Sequence, residues 1–197
     1  MRPIYSVVAA AATFLGAVAV GDRSSLQESR AQAVANKQVR GTVSVRPLTL
    51  DKVIDHSKKI FSGVCTEIKE GLDVKAIEEG KEVTLKAIAT EFTFKIEQGI
   101  KGVMGGEIKF RQWNGIEHYI EKGKKYVLFL PAPSTYGFSS PVGFQYGQCD
   151  VYKKDNEKGE FVFSIHKEHG YKGKEFKYED FIKTVNDTIA KQDKNKK

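Results

Sequence analysis

Gly123 to Gly147, GKKYVLFLPAPSTYGFSSPVGFQYG, is the stretch on which the fold is decided. Tyr126 to Leu130 is nearly continuous in apolar character, as in a strand buried on both faces. It runs into a loop punctuated by proline and glycine, Pro131 to Pro141, which feeds a second aromatic segment, Phe144 to Lys153, read as another strand.

Working outward, Ile60 to Glu70 alternates Ile60, Ser62, Val64, Thr66 and Ile68 with Phe61, Gly63, Cys65, Glu67 and Lys69, the period of a strand. Gly63 inside it predicts a bend or a close backbone approach. Gly71 to Lys81 reads as a charged connection. Val83 to Glu97 is long enough for a bent strand with Phe92, Phe94 and Ile96 on one face. Lys101 to Gly106 is a glycine-rich turn, Glu107 to Trp113 returns with Ile108 and Phe110 inward, and Asn114-Gly115 marks a further turn. Glu160 to His166 adds a sixth strand. Two helices flank the series. Thr49 predicts an N-cap for a short helix to about His56. Phe181, Ile182, Val185 and Ile189 follow the 3.6-residue period from Tyr178 onward, with fraying expected beyond Gln192. No crossover helices separate the strands. The expected fold is therefore mainly β, a closed five- to six-stranded barrel of the OB type with a C-terminal helix packed on it.

The ends have a different character. Met1 to Ala19 reads as an export signal, with Arg2, the apolar run Ile4 to Leu15 and the small-x-small site Ala17-Val18-Ala19. Cleavage after Ala19 implies a secreted or periplasmic protein. The competing reading is an uncleaved anchor, for which Ile4 to Val20 lies at the short limit of a membrane span. Residues 20–47 read as a polar, flexible spacer, 48–192 as the barrel domain and 193–197 as a basic tail. The formal net charge is +7 over 197 residues, spread rather than blocked. That balance aids solubility and attracts polyanions weakly.

Ser57-x-x-Ile60-x-x-Gly63, Thr90-x-Phe92-x-Phe94 ending in Lys101-Gly102, Gly123-x-x-Tyr126-x-x-Phe129-Leu130, and Ser140-Pro141-Val142-Gly143 with Gly147 occur in this order. Together they resemble a group of exported bacterial proteins with an OB-like barrel, similar to those of tissue inhibitors of metalloproteinases (TIMP) and netrin C-terminal modules. The resemblance spans roughly Leu48 to Tyr152. It implies a TIMP/netrin-like barrel and supplies no catalytic residues. The animal inhibitors chelate zinc through an N-terminal cysteine; here no cysteine precedes Cys65, so that chemistry is not implied.

Chemistry-bearing motifs are sparse. Cys65 and Cys149 form an even pair, a disulfide candidate in an oxidising compartment. Linked, they would close a loop of about 85 residues, worth roughly 4–5 kcal/mol. The alternative is two buried thiols. His166 and His169 read as exposed polar side chains rather than metal ligands, and His56 and His118 have no companion motif. Ser134, Ser139 and Ser140 lack an evident base, and Gly102 to Gly106 lacks the ending of a phosphate-binding loop. No catalytic residue, metal or cofactor is predicted. Two candidate binding surfaces stand out: Lys95, Lys109, Arg111 and Trp113, basic groups beside an aromatic plate suited to an acidic glycan or nucleic acid, with an ordinary surface capped by Trp113 as the competing reading, and Tyr136 with Phe138 on the long loop, suited to protein recognition or else folded back over the barrel mouth. The expected function is that of an exported, non-catalytic binding module for an extracytoplasmic protein or a polyanion. The rival from the enzyme class is a hydrolase with an unrecognised site.

Overall fold

Strand periodicity governs nearly the whole of the computed structural model, which describes residues 47–195 except 79, 115–119 and 167–172. The expected export signal, nearly all of the expected spacer, His118, His169 and the last two lysines lie outside the described residues.

Thr49 caps the first helix, α1 (Leu50–His56), its hydroxyl accepting from Lys52 N at 3.4 Å. There follow β1 (Lys59–Glu78), β2 (Lys81–Lys101), β3 (Gly106–Trp113), β4 (Lys125–Leu130), β5 (Gln148–Lys153), β6 (Glu160–Ser164), β7 (Lys174–Lys177) and α2 (Tyr178–Asn195). All seven strands form one antiparallel sheet in the order β3-β2-β1-β4-β5-β6-β7.

The sheet is open, with β3 and β7 as its edges, so the closed barrel expected from the sequence is not formed. The reason is visible in β4. Val127 and Phe129 point to one apolar cluster with Ile60, Cys149, Val151 and Val162, roofed by α1 and α2 through Leu50, Val53, Ile54, Phe181, Ile182 and Val185. Tyr126, Leu128 and Leu130 point the other way, to a cluster of Phe61, Cys65, Phe92, Phe94, Ile108 and Phe110. A barrel has one interior; this sheet has an apolar core on each side of its middle strands.

The second core is built by curvature. The Phe94 and Tyr126 rings lie 6.2 Å apart although β1 runs between their strands. Strands two apart in a flat sheet are separated by roughly 9–10 Å, so β1 to β4 curl around their aromatic filling. Phe61–Phe94 at 5.7 Å and Phe92–Phe110 at 5.3 Å complete it. Closure stops at a loop: after β4 the chain returns along the β3 edge, where Ser139 N donates to Arg111 O at 2.7 Å beside the single bridge Arg111–Phe138.

Several expected boundaries shift. Gly71 to Lys81 is not a connection, since β1 continues to Glu78 and pairs with β2 as far as Lys81. Phe144 to Gly147 is a 3-10 turn entered through left-handed Gly143, not the start of a strand. The four-residue β7 was not foreseen, and α2 stays helical past Gln192 to Asn195.

Candidate functional site

The disulfide is not formed. Cys65 belongs to the aromatic core and Cys149 to the helix-covered core, on opposite faces of the sheet with β4 between their strands. Both thiols are buried. Burial pushes both thiol pKa values upward, and the backbone hydrogen bond to Glu67 offsets this only in part for Cys65. A nucleophilic cysteine needs the opposite shift. His166 is also a correction: it is fully buried, not exposed, with its ring 6.2 Å from Phe129 and 6.4 Å from Phe181. Its Nδ1 lies against the Ser164 hydroxyl. The loop serines shape their own loop, Ser134 Oγ accepting from Phe138 N at 3.2 Å and Ser139 Oγ donating to Pro131 O at 3.2 Å. Among the described residues no group of three or more His, Cys, Asp or Glu side chains could hold a metal ion. No described helix is long and apolar enough to cross a membrane.

The basic-aromatic surface is assembled but not cationic. Alternation along β3 buries Ile108, Phe110 and Gln112 and exposes Glu107, Lys109, Arg111 and Trp113. Antiparallel register places Lys95 opposite Glu107 and Glu91 opposite Arg111. Lys95, Lys109, Arg111 and Trp113 thus share one face, as predicted. Glutamates are interleaved with them: Arg111 Nε meets Glu91 at 2.8 Å, Lys109 meets Glu107 at 3.6 Å, and on β1 Lys69 meets Glu67 at 3.0 Å. A phosphate chain would compete with carboxylates already in place. Four of the seven net positive charges, moreover, fall in residues 1–46.

At the margin of this face Lys125 bridges Glu97 at 2.6 Å and Glu160 at 2.7 Å, and lies 4.7 Å from the Tyr178 ring centroid. Desolvation acts to lower its pKa, but the two carboxylate hydrogen bonds outweigh it and raise it. It joins β2, β4, β6 and the start of α2, which is a structural role.

The loop aromatics divide. Phe138 is half-buried on the β3 edge, whereas Tyr136 stays 45 % exposed at the loop tip. Tyr136 faces a feature that sequence reasoning missed. Beyond Ala89, where β3 ends its pairing, β1 and β2 continue as a two-stranded arm to the turn at Gly80. A shallow cleft of about 370 Å³ lies between arm and loop, lined by Lys75, Ala76, Ile77, Glu82, Thr135 and Tyr136. Ile77 is 66 % exposed at its rim. The signal was present: Asp73-Val74-Lys75-Ala76 and Glu82-Val83-Thr84-Leu85-Lys86 both alternate in period two around Gly80.

The arm's base is held by polar contacts. Ala87 is left-handed (φ 52°); its N–H donates to Asp73 at 2.9 Å, and its carbonyl accepts from Asn114 Nδ2 at 2.8 Å. Asn114 N donates to Ile88 O, and its side-chain oxygen accepts from Thr90 at 2.7 Å. The Lys86 ammonium and the Ala87 N–H beside Asp73 hold that carboxyl below its usual range. No protein-family model matches this chain, and no curated protein is significantly similar to it.

Proposed function

We propose that this is an exported, non-catalytic binding module whose partner is an extracytoplasmic protein engaged at the cleft between the β1–β2 arm and the loop after β4. The observation that carries this reading is the pairing of two exposed apolar side chains, Ile77 and Tyr136, across one concave surface. An aromatic and an aliphatic side chain exposed on one concave surface are the kind of apolar anchors that concentrate binding energy at protein interfaces. Lys75 and Glu82, ion-paired at 2.9 Å, line the same cleft.

A hydrolase reading finds less support, because the Ser134 and Ser139 hydroxyls bond to loop backbone and both thiols are buried. A polyanion finds Lys109 and Arg111 already paired with Glu107 and Glu91 on the β2–β3 face. The relation to TIMP/netrin-like proteins is kept as part of the proposal on the order of its turn glycines and aromatic strands alone.

The test is site-specific photo-crosslinking in the native secreted or envelope fraction. Probes at positions 77 and 136 should give one shared adduct, and a probe at 109 none. An adduct equally strong from 109, or none from 77 and 136, overturns the assignment. Export is tested separately by N-terminal sequencing, where a mature protein beginning at Val20 is expected and an intact Met1 contradicts it.

A further inference from the structure

We infer that two copies of this chain pair through the outer edge of the β2 arm, Lys81 to Lys86, forming a four-stranded antiparallel sheet across a two-fold axis at Thr84. Three observations converge on this edge. First, β3 pairs with β2 only from Ala89 to Ile96, and Asn114 caps the carbonyls of Ala87 and Ile88. Among the described residues no strand lies against the edge from Lys81 to Lys86. Second, β2 keeps an unbroken register with β1 from Val74–Leu85 to Glu78–Lys81, so its outer edge is a regular row of backbone groups of the kind another strand can extend. A second ribbon supplies the missing ladder. Third, the sequence of the edge is complementary to itself when reversed.

That third point selects the occupant. Centred on Thr84, antiparallel self-pairing sets Thr84 opposite Thr84, Val83 opposite Leu85, and Glu82 opposite Lys86, the last two occurring twice by symmetry. On the charged face the arm already pairs Lys75 with Glu82 at 2.9 Å and Lys86 with Asp73 at 2.7 Å. Across the dimer, each line of contacts then reads Lys75, Glu82, Lys86 and Asp73, alternating in sign, with the last two residues from the second copy. On the other face Ala76 pairs with Val83 and Val74 with Leu85. Each apolar row becomes Ala76, Val83, Leu85, Val74 without a break. Registers centred on Glu82 or on Lys86 set like charges directly opposite each other, which is unfavourable. A foreign strand would have to reproduce this pattern; a second copy has it by construction.

Sedimentation equilibrium of the full chain and its charge variants tests the inference. The wild type should approach twice its single-chain mass as concentration rises. Glu82→Lys and Lys86→Glu each convert both cross-copy pairs from opposite to like charge. Each alone should weaken the dimer on the order of tenfold or more. Mixed one to one, the two variants should regain a dimer. One then presents lysine at both positions and the other glutamate at both, so each cross-copy pair is again opposite in charge. That regain also shows that both variants are folded. Three results overturn the inference: a wild type that stays at single-chain mass, a dimer indifferent to both substitutions, or variants that remain monomeric when mixed.

Discussion

Gly63 sits where β1 is paired on both sides, opposite Ile96 of β2 and Tyr126 of β4. A Cβ there would come within 2.5 Å of the Lys95 carbonyl oxygen, a backbone atom that cannot swing aside. Gly63→Ala should therefore cost about 1–3 kcal/mol by overpacking, measured as a fall in the urea midpoint. An unchanged midpoint would mean that the strands part without penalty. The cysteines make a second prediction of this scale. Placed in cores on opposite faces of the sheet, they should give two reactive thiols in denatured, unreduced protein and almost none in the native state. Loss of both thiols on denaturation without reductant would indicate a bond that this fold does not allow. The glycine was readable from the sequence, because a glycine inside an apolar alternation has few other uses. The sidedness of the cysteines was not. Strand alternation says that Cys65 and Cys149 each face some core, and only the topology says that there are two.

The arm is the element whose behaviour should separate most cleanly from the rest. Past its base it has one neighbour per strand, and its link to the sheet runs through Asn114, Ala87 and Asp73. Asn114→Ala removes the side-chain hydrogen bonds with Thr90 and with the Ala87 carbonyl, at a cost of about 1 kcal/mol on this exposed site. Amide exchange should quicken across residues 72–86 and stay unchanged in β4 and β5; uniform quickening would mean that arm and core open together. The arm also shows why element boundaries were misplaced. Charged residues from Gly71 to Lys81 suggest a connection, yet a ribbon wetted on one face tolerates charge at every second position. Val74 and Ala76 carry the buried side of it at 4 % and 5 % exposure. The short β7 carried no independent signal. Its pairing with β6 and the helix that follows it at once hold a four-residue strand that propensity would not.

For the whole molecule, several buried weak acids act in the same direction. Burial raises the pKa of Tyr126 to about 12 from 10.0 and pushes both thiols above 9.0. The native state therefore holds protons that the unfolded chain releases from about pH 9 upward. With fewer protons bound in the unfolded state, stability falls as pH rises. The loss begins near the unfolded values and continues through the raised native value of Tyr126. The urea midpoint should fall between pH 8 and pH 10.5, and Tyr126→Phe with Cys149→Ala should flatten that slope relative to each variant's own value at pH 8. A midpoint constant across this range would contradict the burial of these groups.

By itself, the amino-acid sequence determined the antiparallel β class, the capped first helix, the amphipathic last helix and the shared face of Lys95, Lys109, Arg111 and Trp113. All of these follow from local period and capping chemistry, which act over a few residues. Tertiary structure alone decided that the sheet stays open, that the two thiols never meet, that glutamates neutralise the basic face, and that Tyr136 and Ile77 share a cleft. Those outcomes depend on which strands become neighbours and how far they curl. Such choices are set by contacts between residues far apart in the chain, and no local pattern encodes them.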